Sequence, residues 1–153
     1  MKNLIVSEYR MVGLIVGFLA TIMIFLPALG VQDSDSTYTG LQVVFGHEFL
    51  SLGGFGSGEI TFSMMNLIAY TLPLIAALVL MFTKVNQLFP TILFGAAAVL
   101  LFLVPQFTVV TVSLLGTVTE VDVEWTYASG IIIAALLSII GFAIGIFKIY
   151  KKA

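Results

Sequence analysis

Four long apolar runs, separated by stretches that mix polar and β-branched residues, set the pattern of this chain. The runs cover Met11–Val31, Phe62–Thr83, Leu88–Val110 and Ala128–Phe147, and none holds an Asp, Glu, Lys, Arg or His. A helix needs about 20 apolar residues to cross a hydrocarbon core of roughly 30 Å. A backbone in lipid must satisfy its polar groups within the segment or in a closed barrel. The runs are continuous rather than alternating, which favours helices over a barrel. Each is therefore predicted to be a membrane-spanning helix. The first is too long for the h-region of a signal peptide and three more follow it, so it is expected to be kept as a span.

The stretches between the spans carry a different period. In the first, residues 32–61, the polar Asp33-Ser34-Asp35-Ser36 reads as a turn. Thr37–Phe45 is rich in β-branched and aromatic residues and reads as a strand. Gly46–Leu52 follows, then Gly53–Gly58, whose glycines predict a flexible or tightly turned segment. In the second, residues 111–127, the β-branched run starting at Thr108 ends near Leu115, and Gly116-Thr117 can turn the chain. Val118–Trp125 then alternates, with Glu120, Asp122 and Glu124 on one side, the pattern of a half-buried strand. A small sheet of about three strands is predicted, with Thr37–Phe45 as its third member. The short connection Lys84–Gln87 permits only a helical hairpin. Pro90 suits a first turn, Pro105 marks the end of its helix or a kink near it, and Pro73 lies inside the second span. The fold class is an all-α membrane protein, a four-helix antiparallel bundle with a small extracellular β-sheet formed by the two outer loops, in one domain over residues 1–153.

Composition strengthens the membrane reading. Hydrophobic residues make up 60% and charged residues 9%, against roughly 25% charged in a soluble domain. There is no cysteine, which removes disulfides, thiolate chemistry and cysteine metal sites. Charge gives orientation. Lys2, Arg10, Lys84, Lys148, Lys151 and Lys152 fall on one side of the four spans, with Glu8. Asp33, Asp35, Glu48, Glu59, Glu120, Asp122 and Glu124 fall on the other. Lys and Arg collect on the cytoplasmic side, so both termini are expected in the cytoplasm and the two long loops outside the plasma membrane. Tyr9 and Tyr150 would mark the inner border, and Trp125 and Tyr127 the outer one.

Candidate chemistry is sparse. Ala134, Ser138, Gly141 and Gly145 share one face of the fourth span, and Gly13 and Gly17 one face of the first. Small residues let membrane helices approach closely, so these predict helix packing within the chain or against a partner. Ser63, Asn66, Tyr70 and Pro73 form a stripe on the second span that could bond between helices or line a polar path. No span holds an ionisable residue other than tyrosine, which argues against an autonomous pump. His47 and Glu48 are adjacent and could act as a metal or acid–base pair, but a second histidine is lacking. Glu120, Asp122 and Glu124 with Trp125 could attract a cation or a basic partner. The glycine-rich segment lacks the lysine of a phosphate loop, and the bases form no nucleic-acid patch.

Gly40-Leu41 is followed by Gln42 in the first loop. With four spans, inner termini, a longer first loop and outer strands, the layout resembles claudin-like tetraspan proteins. Claudins carry Gly-Leu-Trp and two cysteines at that place, so their barrier and pore functions do not carry over. Phe25-Leu26-Pro27 with Tyr38-Thr39-Gly40-Leu41 also resembles many small bacterial four-span membrane proteins, which implies no particular activity. The expected function is that of a non-enzymatic accessory or interaction subunit without a cofactor. Its partners would be the lipid bilayer and another membrane protein or a second copy, with no nucleic acid. The alternative is an oligomeric channel or transporter component lined by the second span's stripe.

Overall fold

The computed structural model describes residues 2–82 and 86–152. In chain order the elements are α1 (Lys2–Ile22), β1 (Pro27–Val31), β2 (Thr37–Thr39), α2 (Gly40–Phe45), β3 (His47–Ser51), β4 (Gly56–Ile60), α3 (Met64–Met81), α4 (Leu88–Phe107), β5 (Val110–Leu114), β6 (Thr117–Val121), β7 (Trp125–Tyr127) and α5 (Ser129–Lys152). Four helices, α1, α3, α4 and α5, are long and apolar enough to cross a membrane. α1 packs against α3 and α5, and α4 packs against the same two. Met11, Ile15, Phe18, Ile92, Val99, Leu136 and Ile140 all stay exposed on the outward faces. Apolar surface of that extent is not left to water, and it fits a multi-pass membrane protein. The predicted end of the second span at Thr83, and Lys84 and Val85 of the connection Lys84–Gln87, lie outside the described residues.

The glycines set how closely the helices approach. Gly13 faces Leu80, and a side chain at Gly17 would meet Ala77 Cβ and the Pro73 carbonyl at 2.5 Å. One turn further on, the Thr21 hydroxyl donates to the Tyr70 carbonyl at 3.0 Å. On α5, Gly141 receives the ring of Phe94 and Gly145 receives Thr91, while Ala134 and Ser138 are fully buried. The small-residue faces thus point at α3 and α4. The main core lies at the sheet-bearing end, where Ala28, Leu29, Val43, Val44, Tyr70, Leu101 and Ile131 pack together.

Two sheets replace the single one predicted. Their strand orders are β2-β1-β7 and β3-β4-β5-β6, all antiparallel. The first span does not stay helical to Val31. Its α-helix ends at Ile22, a 3₁₀ turn covers Met23–Phe25, and Leu26 is extended at φ −92°, ψ 163°. Proline disfavours the helical region for the residue before it, so the chain leaves the helix at Leu26 and continues as β1. Ala28 and Leu29 are fully buried in that strand. A buried strand is as apolar as a helix, which is why hydropathy joined the two.

Thr37–Phe45 is not one strand either. It splits at Thr39, whose hydroxyl accepts from the Gln42 amide while the Gln42 side chain accepts from the Thr39 amide. This reciprocal capping starts α2. Gly40 fits because any side chain there would meet Ile24 backbone at 2.7–2.8 Å, and its amide donates to the Leu26 carbonyl at 3.1 Å. The Phe25-Leu26-Pro27 and Thr39-Gly40-Leu41 segments therefore meet in space, with Pro27 paired to Thr39.

The glycine-rich segment is also more regular than expected. Gly53–Phe55 forms a tight turn, but Gly56–Ile60 is an inner strand of the second sheet. At Gly58 the Phe49 ring lies close over the strand, where a side chain would meet it at 2.7 Å. The alternation predicted over Val118–Trp125 breaks after Val121, and Trp125 opens β7 in the other sheet. The third span's helix ends at Phe107, and Val110 already belongs to β5.

The β5–β6 turn is Leu115-Gly116, with Leu114 paired to Thr117 and φ of 50° and 85°. Positive φ at both central residues is the type I′ arrangement, which favours Asn-Gly. Leucine there is disfavoured, and Leu115 is 82% exposed, so it gains nothing from burial within the chain. Leu115 therefore holds a backbone conformation that costs about 1 kcal/mol relative to Asn or Gly.

Candidate interaction site on the four-stranded sheet

The register of the second sheet sorts its side chains by face. Residues directly opposite each other point the same way, and successive residues alternate. Glu48 pairs with Glu59, Glu59 with Thr111, and Thr111 with Glu120. One row across all four strands therefore reads Glu, Glu, Thr, Glu, with neighbours about 5 Å apart. Ser51 pairs with Ser57, Ser57 with Ser113 and Ser113 with Val118 on the same face. The opposite face carries His47, Leu50, Ile60, Val110, Val112, Leu114, Thr119 and Val121. The sheet is amphipathic, with a carboxylate face and an apolar face.

Like charges directly opposite on neighbouring strands are destabilising, and Glu48 and Glu59 stand in that relation. All three glutamates are exposed. The segments 32–61 and 111–127 contain seven acidic residues and no Lys or Arg. Their own sequence offers no permanent cation to neutralise this face.

The predicted site residues are placed differently from expectation. Glu120, Asp122 and Glu124 do not share one strand face: Glu120 is in β6, while Asp122 and Glu124 lie beyond its end. The Glu124 carbonyl instead accepts from the Gln32 amide at 2.9 Å, continuing the first sheet. Glu59, not singled out from sequence, takes their place beside Glu120. His47 and Glu48 are consecutive on β3, so they point to opposite faces and do not converge on one atom. His47 and Trp125 both contact Tyr38, with ring centroids 6.0 Å apart in each case. These rings, with Phe49 against Tyr38 at 6.3 Å, join the two sheets. Beside β3 an open groove of about 270 Å³ is lined by Phe45, His47, Glu48, Glu59, Ile60 and Phe62. Among the described residues, no group of three His, Asp or Glu side chains is placed to hold a metal ion.

Beneath the sheets lies a buried polar knot. Ser63 and Asn66 open α3, and Asn66 is fully buried. The Asn66 NH₂ donates to the Val43 carbonyl at 3.2 Å and to Thr108 Oγ1 at 3.0 Å. Thr108 in turn donates to the Val104 carbonyl at 2.8 Å, and the Ser63 amide donates to the Val44 carbonyl at 2.9 Å. Val43 and Val44 sit in the last turn of α2, where carbonyls lack helical partners. Asn66 thus ties α2, α3 and the end of α4 together. Tyr70 and Pro73 continue inward along α3 and are fully buried as well. No family model matches this chain, and no curated protein or solved structure is significantly similar to it.

Proposed function

We propose that this chain is a small accessory subunit of the plasma membrane, without enzymatic activity of its own, that engages a partner through an outer cap built from the two sheets. The four apolar helices form an antiparallel bundle, with both termini in the cytoplasm and the acidic segments outside. This follows the inner placement of Lys and Arg. The observation that carries the reading is the exposed row of Glu48, Glu59 and Glu120. Three carboxylates have been aligned on one face at a cost in repulsion, in segments that hold no Lys or Arg. A basic segment of a neighbouring protein is the complement such a face fits. Charged rims of this kind steer association and set specificity.

The alternative of an oligomeric channel lined by the α3 stripe has less support. The Asn66 NH₂ is engaged by Val43 and Thr108, and the stripe faces the chain's own core rather than a neighbour. Co-purification in mild detergent tests the proposal. A partner is expected to be recovered with the wild-type chain. Recovery should fall about tenfold when Glu48, Glu59 and Glu120 are all changed to Gln, and it should weaken with salt. Isolation of this chain alone as a monomer, or a partner indifferent to the triple change, would count against it.

A further inference from the structure

The far end of the four-stranded sheet is an apolar tip. The 52–55 loop and the Leu115-Gly116 turn lie side by side, joined by the Leu115 amide donating to the Phe55 carbonyl at 3.1 Å. Leu52, Phe55, Leu114 and Leu115 are exposed by 52%, 73%, 55% and 82%. Turns ordinarily carry Gly, Asn, Asp or Ser. Here four large apolar side chains occupy two adjacent turns, and one of them holds a left-handed backbone that favours Asn or Gly. Neither exposure nor conformation helps the chain fold, so the tip is shaped for contact with something outside it.

The bilayer is the occupant the surface fits. On the apolar face Gly58 and Ile60 are buried, Leu50 stays 43% exposed, and Phe62 follows Ile60 in the same alternation, 54% exposed with its ring 6.4 Å from Phe45. Met64 and Met65 then expose the start of α3. Exposed apolar side chains therefore run from the tip through Leu50 and Phe62 to the start of α3, whose outward face meets lipid. Strands of five residues put the tip about 17 Å from the helix ends. The polarity is that of an interfacial element, apolar below and charged above.

We propose that the four-stranded sheet lies on the outer membrane surface, with Leu52, Phe55, Leu114 and Leu115 in lipid and the row Glu48, Glu59 and Glu120 facing water. This rests on the outer-cap reading and specifies which face of the cap is left for a partner. The chain has no cysteine, so single-cysteine variants carry a nitroxide label at one place only. Phe55→Cys, Leu115→Cys, Glu59→Cys and Glu120→Cys are all exposed positions. The full-length protein is reconstituted in phosphatidylcholine vesicles and each label is probed with oxygen, which enters lipid, and with a water-soluble nickel chelate. The ratio of oxygen to nickel accessibility at 55 and 115 is expected to exceed that at 59 and 120 severalfold. Labels at 55 and 115 open to the nickel chelate would overturn the proposal, leaving a sheet that stands in water. Labels shielded from both reagents would overturn it in favour of a protein contact, with spin–spin broadening identifying a second copy. The partner reading fails separately, through an unaffected co-purification, and leaves these ratios unchanged.

Discussion

Gly17→Val is expected to be the most damaging single substitution among the helix contacts, destabilising the protein by about 3 kcal/mol. Overpacking is usually relieved by a rotamer change, but here there is no rotamer to move. The first atom of any side chain would sit 2.5 Å from the Pro73 carbonyl and from Ala77 Cβ, the latter fixed directly to backbone. α1 must therefore move away from α3, which also lengthens the Thr21–Tyr70 hydrogen bond. Gly13→Ala is a useful comparison, since its obstacle is the flexible end of Leu80 and its cost should be clearly smaller. Equilibrium unfolding of both variants in a mixed detergent, followed by circular dichroism, gives the two values directly.

Asn66→Leu is expected to cost about 2 kcal/mol for a different reason. Leucine fills a similar space, so packing changes little. The Val43 carbonyl, however, loses its donor in a buried place, and leaving a buried acceptor unmade costs about 1–3 kcal/mol. Thr108 loses one bond but keeps its own donation to Val104. Thr108→Val therefore should cost less than Asn66→Leu, because it leaves the Asn66–Val43 bond in place. Equal losses in the two variants, by the same unfolding measurement, would mean that Asn66 does not hold α2 in position.

The helices were legible because a span must be long and uncharged, and four runs meet that test. Their ends were less so. Pro27 was visible, yet its consequence was masked by the apolar character of Ala28 and Leu29, which are equally at home in a buried strand. The Thr-Gly-Leu-Gln sequence at 39–42 is a capping signature, and weighing it against β-branching would have separated β2 from α2. The hairpin of β5 and β6 followed from alternation and Gly116. The acidic row did not, because sequence shows neighbours along a strand and not across a sheet. Glu48 and Glu59 are eleven residues apart and Glu120 is sixty-one further on. Only the register brings them into one line. Asn66 was visible as a polar residue in an apolar span, but its partners on α2 and at the end of α4 were not.

The central claim, four membrane helices with both sheets outside and both termini inside, is tested most directly by thiol labelling in intact cells. The cysteine-free chain allows Glu120→Cys and Lys151→Cys to be compared with a membrane-impermeant maleimide. Glu120→Cys is expected to react in intact cells, and Lys151→Cys only after the membrane is opened. Reaction of Lys151→Cys from outside, or protection of Glu120→Cys until lysis, would contradict it.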